Sequence, residues 1–206
     1  MFSCLGKDIL QFQKIVENNL KEIYTYREQV INKIKKFIYD NLSNKYFIKF
    51  LFYGSYSTGL SIESSDIDIL IEFQKKEKDS ELSPNSPKII HDLIFQLNGE
   101  FNRSINELKI NKINPIYTAS IPVLKIECLL KDVIPPDVKD KLSQTYLFNF
   151  ENEILKLNFD FTFLEVENIG KEQVIHSQQI INYIKDVIDI YPSIKPIILV
   201  LKRYMQ

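Results

Sequence analysis

Cysteine and histidine are scarce in this sequence, with two residues of each among 206. Two cysteines are too few for a disulfide framework or a zinc site, and this scarcity predicts a reducing intracellular compartment, nucleus or cytoplasm. Metal-binding histidines come in clusters, so the isolated His91 and His176 are interpreted as a surface residue and a structural residue. The N-terminus lacks a basic region followed by an apolar signal core, and no apolar run is long enough to span a membrane. These absences predict a soluble protein with no membrane partner.

A strong net charge is also missing, since the formal net charge is −1 at pH 7. A chain without a global basic field can bind nucleic acid only through a local patch. Residues 27–49 are one candidate for such a patch, and a solvated helix face is the alternative interpretation of the same run. Its basic residues are Arg27, Lys33, Lys35, Lys36, Lys45 and Lys49.

The length and the 45% hydrophobic content allow one domain with a buried core and a helical appendage. Apolar residues at helical spacing predict helices over 5–19, 21–43, 88–101, 172–190 and 193–206. The first two are interpreted as interrupted at Asn18-Asn19 and the third as ending near Gly99, while Ile180 is expected to face inward. The charged run 74–88, the unpatterned run 131–153 (with a short helix) and residues 167–170 are predicted loops.

The most informative stretch is GSYSTGLSIESSDIDILI, residues 54–71. It follows residues 47–53, an apolar and aromatic segment that predicts a buried strand. Gly54 breaks this strand, and a glycine lets the backbone approach a ligand closely. The amides of a following helix N-terminus are unpaired donors suited to phosphate. The polar residues after the break are Ser55, Ser57 and Thr58.

Asp66 and Asp68 open the next predicted strand, residues 67–73. Side chains alternate across a strand, so the two aspartates share one face while Ile67 and Ile69 point the other way. Two adjacent carboxylates repel each other unless a cation or a proton lies between them. The pattern therefore predicts a divalent metal site, and the alternative is a pair of solvated aspartates that cap a loop.

A third aspartate, Asp160, lies within the strand predicted over 154–163. Burying an unpaired charge is costly, so this aspartate needs a partner or solvent. It is interpreted either as a third metal ligand or as a solvated aspartate on an open sheet face. Two further strands are predicted over 112–118 and 121–130. The alternation puts apolar side chains on one face of the Asp160 strand, namely Leu155, Leu157, Phe159, Phe161 and Phe163.

The order of apolar strand, Gly-Ser turn, polar residues and D-x-D resembles the nucleotidyltransferase superfamily of DNA polymerase β type. Its form is most similar to the RNA-tailing enzymes, the poly(A) polymerases and terminal uridylyltransferases. ASIPVLK, ending at Lys125, resembles their A-x-[VI]-P-[IV]-[IL]-K strand, and the FDFTF around Asp160 resembles the strand of their third carboxylate. The C-terminal segment is similar to a helix of these enzymes that ends in a lysine, here Lys202. The resemblance spans residues 8–206.

This resemblance implies an α+β fold, a polymerase β-like nucleotidyltransferase palm in which helices flank a mixed sheet. A long N-terminal helix precedes the palm, and the start of a helical second domain follows it. The implied division is N-terminal helices over 1–45, a catalytic palm domain over 46–170 and C-terminal helices over 171–206.

The resemblance also implies template-independent transfer of a nucleoside monophosphate from an NTP, ATP or UTP, to an RNA 3′ end. Asp66 and Asp68 would bridge two Mg²⁺ or Mn²⁺ ions, and Asp160 would bind the ion that activates the 3′-hydroxyl. Lys125 would face the RNA or would be a lysine at a strand edge. The phosphates would be held by Gly54, Ser55, Ser57, Thr58 and Lys202.

Two other functions stay open. A small nucleotidyltransferase that modifies antibiotics or proteins shares the turn and the carboxylates, but the long leading helix and the P-V-L-K strand argue against it. The other is an inactive nucleotidyltransferase-like module that binds a protein or RNA within a larger assembly. In the tailing enzymes the chain continues into a helical domain, so the sequence ending at Gln206 is interpreted as a fragment, a minimal form or part of a larger chain or complex.

Overall fold

The computed structural model describes residues 2–76, 87–145, 155–166 and 176–205. Most of the predicted loop 74–88, the end of 131–153 and the loop at 167–170 lie outside these residues. The elements in chain order are α1 (Phe2–Leu42), β1 (Tyr46–Tyr53), α2 (Gly54–Thr58), β2 (Ile67–Lys75), α3 (Pro87–Arg103), β3 (Ile110–Ile116), β4 (Val123–Leu129), α4 (Pro136–Thr145), β5 (Lys156–Glu165), α5 (His176–Ile190) and α6 (Ile194–Tyr204).

The five strands form one mixed sheet in the order β1-β2-β5-β4-β3. The neighbours β2 and β5 run parallel, whereas every other neighbouring pair runs antiparallel. Strands β1 and β3 are therefore the edges, and β2, β5 and β4 lie inside the sheet. The predicted α+β architecture, a mixed sheet with flanking helices, is confirmed.

One face of the sheet is apolar and carries the core. Alternation along β5 produces it, because Phe159 and Phe161 are fully buried while Asn158, Asp160 and Thr162 on the other face stay partly accessible. Helices α1 and α3 pack on the apolar face. Their buried core residues are Ile23, Val30, Ile31, Ile34, Ile38 and Leu42 from α1 and Ile89, Leu93, Ile94, Leu97 and Phe101 from α3. The opposite face of the sheet is thereby left for polar residues.

The long N-terminal helix α1 is continuous over 41 residues, so the predicted interruption at Asn18-Asn19 is wrong. Paired asparagines favour a helix end, but here tertiary structure overrides that preference. Asn19 is 4% exposed, and its Nδ2 donates to Glu63 Oε1 at 2.9 Å. Helix α1 is amphipathic, and within the described residues no helix is long and apolar enough to cross a membrane.

The predicted burial of β1 is wrong, because β1 is an edge strand and its residues are only partly covered. Phe47 is 53% exposed. The ammonium group of Lys35 lies 5.5 Å and 5.2 Å from the ring centres of Phe50 and Phe52. Aromatic residues on an edge strand are thus covered by a lysine from α1, whose alkyl stem and charge both suit an aromatic surface.

Two helical predictions need correction. Helix α3 continues past Gly99 to Arg103, because a helical glycine costs only about 1 kcal/mol and the apolar face of α3 resumes at Phe101. In α5, Ile181 is 4% exposed, but Ile180 was expected inside and is 48% exposed. Helix α5 carries isoleucines on more than one side, so its periodicity alone does not fix the side that packs.

Candidate active site

A row of chemically distinct side chains crosses the polar face of the sheet, with one residue on each strand. Asp68 on β2 lies directly opposite Asp160 on β5, and Asp160 lies opposite Lys125 on β4. Tyr53 on β1 is the partner of Asp68, and Asn114 on β3 is the partner of Lys125. The parallel pairing of β2 with β5 therefore brings together two aspartates that are far apart in the chain. We call these five residues the aspartate row.

Asp66 precedes β2 and is exposed on the same side as Asp68. The pKa of Asp68 is raised to about 6, chiefly by partial burial and then by the charges of Asp160 and Asp66, while Lys125 and Lys202 oppose the shift. Within the described residues Asp68 makes no ion pair. Asp66 and Asp160 are therefore near enough to Asp68 for their charges to affect its pKa.

Asp160 differs from Asp68 because it has a direct cationic partner. The ammonium group of Lys125 donates to Asp160 Oδ2, and the two side chains are 41% and 19% exposed. Burial lowers the pKa of Lys125, but the hydrogen bond and the charges of the three aspartates outweigh it, so its pKa is raised. Strand β4 lies inside the sheet, so the alternative of a lysine at a strand edge is wrong. Lys125 belongs to the carboxylate cluster.

Gly54, at the start of α2, packs directly against Asp68. Its φ is +64°, and a Cβ atom at this position would lie 2.0 Å from Asp68 Oδ2. Only glycine adopts this conformation at little cost and leaves the space that the carboxylate needs. The close approach of backbone that the sequence predicts at Gly54 is therefore an approach to Asp68.

The polar residues of α2 differ in their surroundings. The Thr58 hydroxyl donates within α2, 3.2 Å from the Gly54 carbonyl and 3.3 Å from the Ser55 carbonyl. Ser55 and Thr58 line a cleft of about 360 Å³ beside the row, whereas the half-buried Ser57 does not line it. We call this the Gly54-side cleft. Its other lining residues are Tyr53, Gly54, Leu60, Ile180, Ile181, Ile184 and Lys202.

Lys202 reaches this cleft from α6. Its ammonium group donates to the Leu60 carbonyl at 3.0 Å and to Ser65 Oγ at 3.2 Å. Burial lowers its pKa, and the charges of Asp68 and Asp66 oppose that effect. Lys202 therefore lies close to the carboxylates, beside the loop that ends in Asp66, and Leu60 and Ser65 are its partners in this structure.

A second groove of about 170 Å³ lies on the other side of the row, and we call it the Asp160-side groove. It is formed mainly by residues of β3, β4 and β5, with Asp66 from the loop before β2. Its lining residues are Asp66, Lys112, Asn114, Lys125, Ile126, Glu127, Asn158, Phe159 and Asp160. Of the predicted site residues, the structure thus places Asp66, Asp160 and Lys125 on this side and Gly54, Ser55, Thr58 and Lys202 on the other.

The basic run 27–49 does not act as a single patch. Arg27 is 3% exposed, and its Nη1 donates to the Glu63 carbonyl at 3.0 Å. Lys33 donates to the Glu107 carbonyl at 2.6 Å. Arg27 therefore belongs to the interior, and the prediction of an RNA patch that includes it is wrong.

Sequence reasoning also missed Tyr53 and Asn114, the two ends of the row. The Tyr53 hydroxyl is 3.3 Å from Thr162 Oγ1, and partial burial, with the charges of Asp68 and Asp160, raises its pKa. The position of Tyr53 immediately before Gly54 was the available signal. Nothing in the sequence of β3 marked Asn114, because only the strand register places it opposite Lys125.

A family model described as the central palm domain of mitochondrial-like poly(A) RNA polymerases matches residues 5–138. The match covers more than half of the chain. The chain belongs to this family. The resemblance to polymerase β-type nucleotidyltransferases of the RNA-tailing group is thereby confirmed.

Solved structures share the palm fold of this family member. Cid1 poly(U) polymerase bound to MgGTP aligns with a TM-score of 0.54 and 13% identity, over 98% of this chain and 48% of that chain. The mtPAP structure in complex with ATPγS aligns with a TM-score of 0.56 and 12% identity, over 94% and 35%. At such identities the likeness shows the fold alone, and the chain spans about half or less of the length of these neighbours. No curated protein matches the sequence.

The chemistry of the palm carboxylates fits a divalent ion. Asp66, Asp68 and Asp160 offer only oxygen atoms, the donors that suit Mg²⁺ or Mn²⁺. Burial, followed by the charges of Asp160 and Asp66, raises the pKa of Asp68, and a bound cation would oppose both effects. Within the described residues, however, no three His, Cys, Asp or Glu side chains are close enough to hold a metal ion as they stand. Asp160 does not face a metal site in this arrangement because its carboxylate forms an ion pair with Lys125.

Proposed function

We propose that this palm transfers a nucleoside monophosphate from an NTP to an RNA 3′ end without a template. The observation that carries the proposal is the register of β2 and β5, which sets Asp68 directly beside Asp160 between two separate clefts. Phosphoryl transfer needs mainly positioning and charge neutralisation, and two clefts that meet at carboxylates suit two substrates that meet at a phosphate.

Asp66, Asp68 and Asp160 are the proposed ligands of Mg²⁺ or Mn²⁺. Bound divalent ions would lower the pKa of the acceptor hydroxyl and neutralise charge on the phosphate oxygens. Asp66 and Asp68 are available, whereas Asp160 must first release Lys125. The freed ammonium group of Lys125 is then available to an RNA phosphate on the same side of the row.

The Gly54-side cleft is the proposed triphosphate site. Gly54 brings the backbone against Asp68, so a phosphate held by the amides after Gly54 lies close to the carboxylates. Ser55 offers a hydroxyl, and Lys202 offers a positive charge from α6. The walls formed by Ile181 and Ile184 keep water away from part of the cleft, which strengthens the attraction of Lys202 for phosphate.

The Asp160-side groove is the proposed site for the RNA 3′ end. In phosphoryl transfer the entering and leaving oxygens lie roughly in line on opposite sides of the phosphorus. An NTP in the Gly54-side cleft therefore requires the acceptor to approach from the side of Asp160 and Lys125. Lys112 and Asn114 line the outer part of this groove and offer donors to phosphate or to ribose hydroxyls.

Primer extension tests the proposal. A labelled oligo-RNA is incubated with Mg²⁺ or Mn²⁺ and each NTP separately, using the wild type, Asp66→Ala and the control Asp92→Ala, whose aspartate is exposed on α3. We expect extension by the wild type and the control. In Asp66→Ala we expect the extension rate to fall more than about 100-fold, because loss of a metal ligand costs more than loss of a residue that only hydrogen-bonds to a ligand. Extension by Asp66→Ala at the wild-type rate would contradict the proposal.

A second function is supported by a specific contact. The ion pair of Lys125 with Asp160 leaves no complete carboxylate set, which suits an inactive module that binds RNA or a protein partner. The two functions differ in metal and nucleotide binding. Calorimetric titration of Mg²⁺ with NTP that gives no heat for the wild type, together with no extension of any primer, would favour the binding module.

A further inference from the structure

The loop over residues 60–66 connects α2 to Asp66, and it is unusually buried for a polar connection. Ile62 is fully buried, Glu63 is 2% exposed and Ser65 is 6% exposed. The Ile62 amide donates to Ser65 Oγ at 2.9 Å, which closes a tight turn just before Asp66. A buried carboxylate such as Glu63 is costly unless other groups satisfy it, so the partners of this loop need an explanation.

Two partners of Glu63 come from the N-terminal helix α1. Asn19 Nδ2 donates to Glu63 Oε1 at 2.9 Å, and Arg27 Nη1 donates to the Glu63 backbone carbonyl at 3.0 Å. Asn19 is 4% exposed and Arg27 is 3% exposed. Arg27 lies about two helical turns after Asn19, so one helix holds the side chain and the main chain of the same residue.

The same part of α1 also holds α2. The Tyr56 hydroxyl donates to Glu28 Oε1, next to Arg27. Burial lowers the pKa of Arg27, and the charges of Tyr56, Glu63 and Glu28 oppose that shift. Helix α1 therefore contacts both parts of the motif, the Gly54 turn through α2 and the aspartates through the loop.

Stability alone does not explain this cluster. Buried ion pairs and polar clusters are often replaceable by apolar residues of similar volume with no loss of stability. Directional hydrogen bonds do something that apolar packing does not, because they fix a group in one place. The bond from Arg27 fixes the backbone of Glu63, three residues before Asp66, and Lys202 of α6 holds Ser65 and Leu60.

We infer that Asn19, Arg27 and Glu63 are positioning residues that hold Asp66 beside Asp68 for binding of the divalent ion. The inference rests on the proposed function, since it assumes that Asp66 is a metal ligand. These residues act through the loop and do not touch the substrates. Loss of the Arg27 bond frees the backbone before Asp66, so metal affinity falls even where the fold persists.

The test compares Mn²⁺ affinity in three variants by calorimetry, at a temperature where circular dichroism shows each to be folded. Arg27→Met removes the donor and keeps an unbranched side chain, and Arg27→Lys keeps a donor. Asn41→Ala is the control, because Asn41 bonds the Phe37 carbonyl within α1 and is remote from the loop. We expect the Mn²⁺ dissociation constant to rise about tenfold or more in Arg27→Met, less in Arg27→Lys and not at all in Asn41→Ala.

Amide hydrogen exchange provides a second readout. In Arg27→Met we expect faster exchange over residues 60–66 and unchanged protection in β5. If Arg27→Met does not fold, Asn19→Ala is measured instead. We expect its Mn²⁺ dissociation constant to rise about threefold, because it loses one hydrogen bond. A folded variant with wild-type Mn²⁺ affinity would overturn the inference and leave the proposed function standing. A wild type that binds no Mn²⁺ would overturn both.

Discussion

The two sides of the aspartate row are built differently, although Gly54 on one side lies against Asp68 and the neighbouring Asp160 lines the other side. The Gly54-side cleft is made of a backbone turn, apolar walls and Lys202. The Asp160-side groove is lined mainly by polar and charged residues of three strands, together with Asp66 from the loop before β2. A backbone site depends on a conformation, and a site of side chains depends on individual groups. The two sides should therefore respond differently to substitution.

The carboxylates repeat this difference. Asp160 is neutralised by Lys125, whereas Asp68 makes no ion pair within the described residues and its pKa is raised to about 6. Under the proposed function, a divalent ion would bind first at the Asp66–Asp68 end, where no lysine or arginine forms an ion pair with Asp68 in the described residues. Asp160 would become available to the ion only after Lys125 has exchanged it for another anion.

The largest difference is expected from two matched glycine substitutions. Gly54→Ala places a Cβ 2.0 Å from Asp68 Oδ2 at a φ of +64°, so Asp68 must move. Gly59→Ala has a similar φ of +71° but nothing within 4 Å of its Cβ, so it costs only the left-handed conformation, roughly 1–2 kcal/mol. We expect primer extension to fall about 100-fold in Gly54→Ala and little in Gly59→Ala. Equal losses of activity in the two variants would remove the special role of Gly54.

A smaller effect separates the two lysines. Lys202→Met should raise the KM for NTP about tenfold and leave the KM for the oligo-RNA nearly unchanged, because a charged hydrogen bond contributes about 1.5–3 kcal/mol. Lys125→Met should instead raise the KM for the oligo-RNA and leave the KM for NTP nearly unchanged. Steady-state kinetics with each substrate varied in turn measures both. If both lysines affect the same substrate, the two sides of the row do not hold different substrates.

The smallest expected effect is the pH dependence of stability. With its pKa raised from 3.8 to about 6, native Asp68 keeps a proton between about pH 4 and pH 6 that the unfolded chain has lost. The native state binds more protons there, so the free energy of unfolding falls as pH rises through this window. The amide side chain introduced by Asp68→Asn does not ionise, so the variant avoids this loss of stability. It should melt a few degrees above the wild type at about pH 7.5 in EDTA, with little difference at about pH 4.

Added Mg²⁺ provides the control for that experiment. It should raise the melting temperature of the wild type at about pH 7.5 and leave Asp68→Asn unchanged, because only a native state that binds the ion is stabilised by mass action. In EDTA at about pH 7.5, an Asp68→Asn variant that melts below the wild type would contradict the prediction, because it would mean that the Asp68 charge stabilises the native state.

Much of this site could be predicted from the sequence because its signals are local. The D-x-D before an apolar strand and the alternation around Asp160 fix which side chains share a face. The register of β2 with β5 could not be predicted from these patterns, since it depends on pairing between segments that are distant in the chain. The register of β4 with β5 is equally non-local, and it sets Lys125 beside Asp160, whereas Asp68 makes no ion pair in the described part of the chain.

Two of the errors share a physical cause, which is tertiary burial of polar residues. Arg27 sits in a run of basic residues and was grouped with them, but its partner is a backbone carbonyl in another element. Asn19 favours a helix end by propensity, yet Glu63 satisfies it within a continuous helix. The exposed Ile180 is the converse case, in which an apolar residue of α5 lines a cleft instead of the core.

Calorimetric titration of Mg²⁺ with NTP tests most directly the claim that the aspartates hold divalent ions between the two clefts. The proteins are the wild type, Asp68→Asn and the control Asp92→Asn on α3. The account predicts saturable binding by the wild type and the control, and no binding by Asp68→Asn. Binding of equal affinity in all three proteins would contradict it.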